Sequence, residues 1–89
     1  MARYFMHLRD STDELLDPEG REFSTLEALQ HAVLFAVRDL MSGDVLNGRL
    51  DLRFRIDAHD DAGAIAYSLP FKHALKIIQE DDTANLLAV

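Results

Sequence analysis

The stretch from Ser24 to Met41, STLEALQHAVLFAVRDLM, limits the possible folds more than any other part of this chain. Leu26, Leu29, Val33, Ala36, Val37 and Leu40 recur at steps of three and four, which places them on one face at about 100° per residue. Ser24 and Glu27 match a capping box, in which the hydroxyl accepts from a first-turn amide and the carboxylate reaches back. Phe23 supplies the outer half of a hydrophobic staple, and Gly43 suits a left-handed stop. A helix with one apolar face must bury that face against another element. The short apolar runs on either side of it are the available partners.

Those runs read as strands. In Arg3–Arg9, Tyr4, Met6 and Leu8 alternate with Phe5 and His7, so both faces carry apolar groups. A polar turn over Asp10–Asp13 leads into a short returning strand, Glu14–Asp17, and Asp17-Pro18-Glu19-Gly20 has the residues of a tight turn. After the helix, Asn47-Gly48 marks a turn. Leu50, Leu52, Phe54, Ile56 and Ala58 then alternate with Asp51, Arg53, Arg55, Asp57 and His59, the pattern of a half-buried strand. Asp60–Gly63 suits a hairpin connection. Ile65, Tyr67 and Leu69 continue the inward face, opposite a bare outer face of Ala64, Ala66 and Ser68. Pro70 ends that strand, and Phe71, Ala74, Leu75 and Ile78 have the spacing of a second helix over Phe71–Gln79. The expected architecture is one α+β domain over residues 1–79, in the order ββαββα. Its small sheet of about four strands packs on the long helix, and residues 80–89 form an acidic and apolar tail.

Composition narrows the function classes. At 89 residues the chain has room for one core, and a domain of this size buries only roughly 60–65% of its unfolded surface. Cysteine is absent, so disulfides and thiolate ligands are excluded and oligomerisation is the common remaining source of extra burial. The same absence fits a cytoplasmic protein. The net charge is −7 with a pI near 4.8, and the basic residues form no stripe that would displace counterions from nucleic acid. Arg49, Arg53 and Arg55 are interleaved with Asp51 and Asp57, as expected for ion pairs on a solvated sheet face. The opening MARYFMHLRD is too short and too charged for a signal peptide, and no apolar run reaches the length of a membrane span.

Catalytic and metal-binding patterns are absent from the sequence. The four histidines, His7, His31, His59 and His73, lack the spacing of a zinc-ligand motif, and Asp57–Gly63 lacks the glycine and distal glutamate of a calcium loop. His7, beside Phe5, reads as a hydrogen-bonded sheet histidine. No nucleophile elbow or glycine-rich phosphate loop occurs. The expectation is therefore a protein that is not an enzyme and holds no cofactor or metal. Its best surface feature is the back of the helix, where Phe35 lies half a turn from the core stripe near Ala28 and Ala32. An aromatic among small residues is a plain packing surface for a second chain.

Two resemblances add to this reading. RYFMHLRD at the start, DPEGREF before TLEA, GRLDL after the helix and LPF near the end resemble a family of short bacterial proteins of unknown function. The likeness extends from Ala2 to Ala74 and implies a compact domain with no residues of assigned role. FSTLEALQHA leading into the helix is similar to HicB-like antitoxins over Phe23–Ala36, which implies binding of a small basic protein. The chain lacks that family's proline- and glycine-rich segment before the helix and its appended DNA-binding module. The expected function is that of a small cytoplasmic interaction protein that binds itself through Ala28, Ala32 and Phe35. An antitoxin-type binder of a small basic protein is the alternative, and neither nucleic acid nor membrane is an expected partner.

Overall fold

The computed structural model describes residues 1–79; the expected tail lies outside the described residues. The elements are β1 (Ala2–Arg9), β2 (Glu14–Leu15), β3 (Arg21–Phe23), α1 (Leu26–Leu46), β4 (Arg55–Asp60) and β5 (Ile65–Pro70), followed by a 3₁₀ turn, Phe71–His73. The class is α+β, with one helix against a five-stranded antiparallel sheet. β1 and β4 pair centrally, β5 forms one edge, and β2 and β3 share the other side of β1 as two halves of a broken edge strand. The alternation of residues Arg21–Phe23 is too short to announce β3, so this strand was not expected from the sequence.

α1 buries Leu29, Val33, Val37 and Met41, an i, i+4 ridge, against Phe23, Ile56, Ala58, Leu69, Phe71 and Ala74. Each fully buried leucine, valine or phenylalanine side chain contributes about 1.5–3 kcal/mol. Leu26 and Leu40 of the expected stripe lie at its exposed margins. The helix starts one residue later than the capping box implies. Thr25 is the N-cap, and its hydroxyl accepts the Ala28 N–H at 3.0 Å. With Thr25 as cap, the box position falls on Ala28, so Glu27 acts through the first-turn dipole alone.

The far end corrects the glycine assignment. Gly43 lies inside the helix, and Gly48 (φ 79°) supplies the left-handed residue. Gly48 N–H donates to the Val45 carbonyl at 2.9 Å and Arg49 N–H to the Asp44 carbonyl at 3.1 Å, the two bonds of a Schellman motif. A Cβ added at Gly43 meets nothing within 4 Å. Gly43→Ala is therefore expected to raise stability by about 0.5–1 kcal/mol, measured as a shift of the urea midpoint at unchanged slope.

Three further expectations are revised. The strand expected from Leu50 begins only at Arg55. Asp51 accepts the Arg53 N–H at 3.0 Å and pairs with its guanidinium at 3.0 and 2.8 Å, and this local turn competes with the ladder. The second helix is replaced by the short 3₁₀ turn. Phe71 and Ala74 are buried as their spacing requires, but Leu75 and Ile78 are exposed. Arg38 Nε donates to the Ala74 carbonyl at 2.8 Å, the acceptor that an α-helical turn would give to Ile78. On β5, a register shift between Ala58 and His59 sets Ile65 opposite His59. Ile65 thus leaves the covered face and is exposed. No described helix is long and apolar enough to cross a membrane.

Candidate functional site

The sheet face away from α1 carries Phe5, His7 and Arg9 from β1, in register with His59, Asp57 and Arg55 from β4, and Ser68 from β5 beside Asp57. β1 loses its neighbour between Tyr4, which pairs with Arg21, and Leu8, which pairs with Leu15. The turn after β2 seals this gap with side chains. The Asp17 carboxylate accepts the N–H groups of Met6 (3.2 Å), Glu19 (3.2 Å) and Gly20 (3.1 Å), and the Asp17 N–H donates to His7 Nδ1 at 3.0 Å. Burial pushes the Asp17 carboxyl up, but the Gly20, Met6 and Glu19 amides outweigh it and hold it below the usual carboxylate range. Gly20 (φ 69°) lies flat on Phe5, where a Cβ would sit 2.8 Å from the ring and 2.9 Å from the Tyr4 carbonyl oxygen.

Beside this seal is a saturated charge network. Asp57 is only 2% exposed. It accepts from Ser68 Oγ at 2.6 Å, Arg9 Nη1 at 3.2 Å and Arg55 Nε at 3.1 and 3.2 Å. Burial would raise its pKa; the Ser68 hydroxyl and the two guanidinium groups outweigh that and keep it ionised below the usual range. The sequence places Asp57 on a solvated face, whereas a carboxylate with this many donors tolerates burial. Arg9 also binds Glu14 at 3.0 Å and contacts His59 Nε2 at 3.1 Å. The His7 and His59 rings meet edge to face at 5.0 Å.

Proton positions follow from these partners. Backbone and guanidinium N–H groups only donate, so His7 Nδ1 and His59 Nε2 are acceptors and the ring protons sit on His7 Nε2 and His59 Nδ1. With both lone pairs taken, neither imidazole presents a free nitrogen lone pair to a metal in this arrangement. Among the described residues no group of three or more His, Cys, Asp or Glu could hold a metal ion.

The structure separates the other candidates. His31 lies on the exposed flank of α1 near Glu27, at 3.9 Å, and His73 lies in the 3₁₀ turn, far in sequence from this pair. Phe35 is 74% exposed on the solvent side of α1, while Ala28 and Ala32 are half-buried and lean on the core margin. Sequence reasoning identified His7 as a sheet histidine but not its partner. The link to His59 depends on the pairing of β1 with β4, which no short motif marks. An Arg-x-Asp-x-His alternation, Arg55-Asp57-His59, on one strand face was the available signal.

These features define a small helix-on-sheet domain with a polar network on its open face and an aromatic on the back of its helix. The chain belongs to the family described as a domain of unknown function, DUF6894, whose model matches residues 3–72. No curated protein and no solved structure matches it.

Proposed function

We propose that this protein is a small cytoplasmic interaction protein that associates with a second copy of itself through the solvent face of α1. The carrying observation is the position of Phe35. It lies about 200° around the helix from Val33 and from Val37, directly opposite the buried ridge, yet it is a large aromatic in full contact with water. Leu46, 86% exposed, falls within about 20° of the same line and about 16 Å further along the axis. An isolated aromatic anchor with a second apolar contact suits a twofold helix pair, in which each patch meets its own copy. The reading involves packing and no chemical step. A charge of −7 supports a second reading, in which the same face receives a small basic protein.

Phe35→Glu is expected to reduce the native mass to that of one chain while the far-ultraviolet circular dichroism is unchanged. The substitution places a charge at a site already in water, so the fold itself should tolerate it. An unchanged mass in the folded variant would remove the anchor. A basic protein co-purifying in fixed ratio and released by Phe35→Glu would favour the second reading.

A further inference from the structure

On the open face two imidazoles stand side by side, each facing a donor that has no lone pair to offer in exchange. His7 Nδ1 takes the Asp17 N–H, and His59 Nε2 takes Arg9 Nη1. A second ring proton on His7 would convert Nδ1 from an acceptor into a donor facing a donor. It would also place a positive charge beside Arg9 and within 5.0 Å of the other ring. The seal on the broken edge strand rests on the first of these contacts together with the Met6 N–H bond to the Asp17 carboxylate.

We propose that His7 is a proton-operated latch, which holds the 16–20 turn against β1 at neutral pH and releases it in mild acid. The groups that face the pair are Arg9 on β1, Glu14 and Asp17 on β2 and its turn, and Asp57 and Arg55 on β4. β5 supplies Ser68, which does not titrate. Burial, then His59 and Arg9, hold the His7 imidazole below its ordinary value of 6.5, against the upward pull of Asp17 and Glu14. The folded chain thus prefers neutral His7. Its contribution to holding the turn is complete above about pH 6.5 and is lost as the pH falls below that value. Asp17 and Asp57 stay ionised throughout this interval, because both are held below the ordinary 3.8. The acid response therefore begins as local release, well above the pH at which the carboxylates protonate. Opening the turn bares the stretch of β1 around Met6 that has no strand partner on this side among the described residues, an edge able to pair with another segment.

Amide hydrogen exchange on the full chain tests this directly. Between about pH 7.5 and about pH 5.5, the protection factors of the Met6 and Asp17 amides, whose bonds join the turn to β1, are expected to fall by up to about tenfold, the ceiling for one imidazole taken about one pH unit below its ordinary value. The Ile56 and Leu69 amides of the β4–β5 ladder should hold theirs. The double variant His7→Asn, His59→Gln keeps an acceptor at each bonded position and cannot take up the protons, so its turn should stay protected at both pH values. A fall equal in the double variant, a fall shared by Ile56 and Leu69, or no fall in the wild type would each overturn the latch. Independently of any variant, imidazole nitrogen shifts should show unprotonated Nδ1 on His7 and unprotonated Nε2 on His59 at neutral pH. The opposite tautomers would overturn it as well.

Discussion

Gly20→Ala is expected to lower the unfolding free energy by about 2–5 kcal/mol, the largest effect of a methyl added at any of the four glycines. Two costs combine at this position. The backbone has φ of 69°, a left-handed conformation that costs a residue bearing a Cβ about 1–2 kcal/mol. The new methyl would also sit 2.8 Å from two Phe5 ring carbons and 2.9 Å from the Tyr4 carbonyl oxygen, and relieving such contact typically costs another 1–3 kcal/mol, roughly. The Phe5 ring could turn aside, but the carbonyl belongs to a central strand and has little freedom. Urea denaturation would show a lower midpoint. A domain of this size has a total stability of only about 4–13 kcal/mol, so the variant stands near the limit of folding. Set beside Gly43→Ala, where the opposite sign is expected, the same chemical change reports two different backbones. A Gly20→Ala midpoint within error of the wild type would show that the turn does not lie on Phe5.

Asp57→Ala is expected to cost about 2–4 kcal/mol. The carboxylate is almost wholly removed from water, and three side chains depend on it: Ser68, Arg9 and Arg55. Losing a hydrogen bond to a charged acceptor costs about 1.5–3 kcal/mol, and removing one partner of a buried pair leaves like charges facing each other. Arg9 and Arg55 keep some access to water, which holds the loss below the sum of their separate contacts. The pH dependence carries a defined sign. Because the folded-state pKa of Asp57 lies below 3.8, its contribution is complete above that value and is lost as the pH falls below it. Asp57→Ala should therefore flatten the acid limb of the stability curve and leave the response that begins below about pH 6.5 to His7. Melting temperatures measured across the acid range in wild type and variant, if parallel, would mean that Asp57 does not carry this limb.

Much of the framework was legible in the chain because it depends on period and local chemistry. The recurrence of Leu29, Val33 and Val37 predicted the helix and its buried side. Asp60–Gly63 predicted the hairpin, in which Gly63 has φ of 85°. Phe71 and Ala74 showed themselves as core residues even though the helix expected around them does not form. What the chain concealed depends on register. Whether Ile65 points inward is decided by a bulge at Ala58/His59, and no residue type marks that bulge. Asp57 reads as a surface acid until β1 is set beside β4, which brings Arg9 from a distant part of the chain. Asp17 reads as a turn residue; its work as a substitute for a missing strand is visible only once the gap in the edge is seen. The helix end shows a smaller version of the same limit. Gly43 and Gly48 both suit a stop, and the Schellman bonds decide for the second.

The exposure of Phe35 was legible as well. Phe35 follows from the helical period alone, since a residue half a turn from a buried ridge must face outward. Its alanine neighbours, Ala28 and Ala32, are half-buried against the core margin, so they would flank the proposed patch from beside it. Under the proposed self-association two other surfaces could receive a second copy: the edge of β5, unpaired among the described residues, and the open face around His7. The β5 edge is blunted at one end by Pro70, which has no N–H to donate, and the open face has its polar groups already paired with one another.

Dilution followed by amide chemical shifts separates these surfaces in one measurement. Resonances of Phe35, Asp39, Ser42 and Leu46, along the solvent side of α1, are expected to move together as a concentrated sample is diluted to monomer, while those of His7, Asp57 and Ser68 remain in place. Spectra that do not change with concentration, or shifts confined to β5 and the open face, would contradict self-association through the helix.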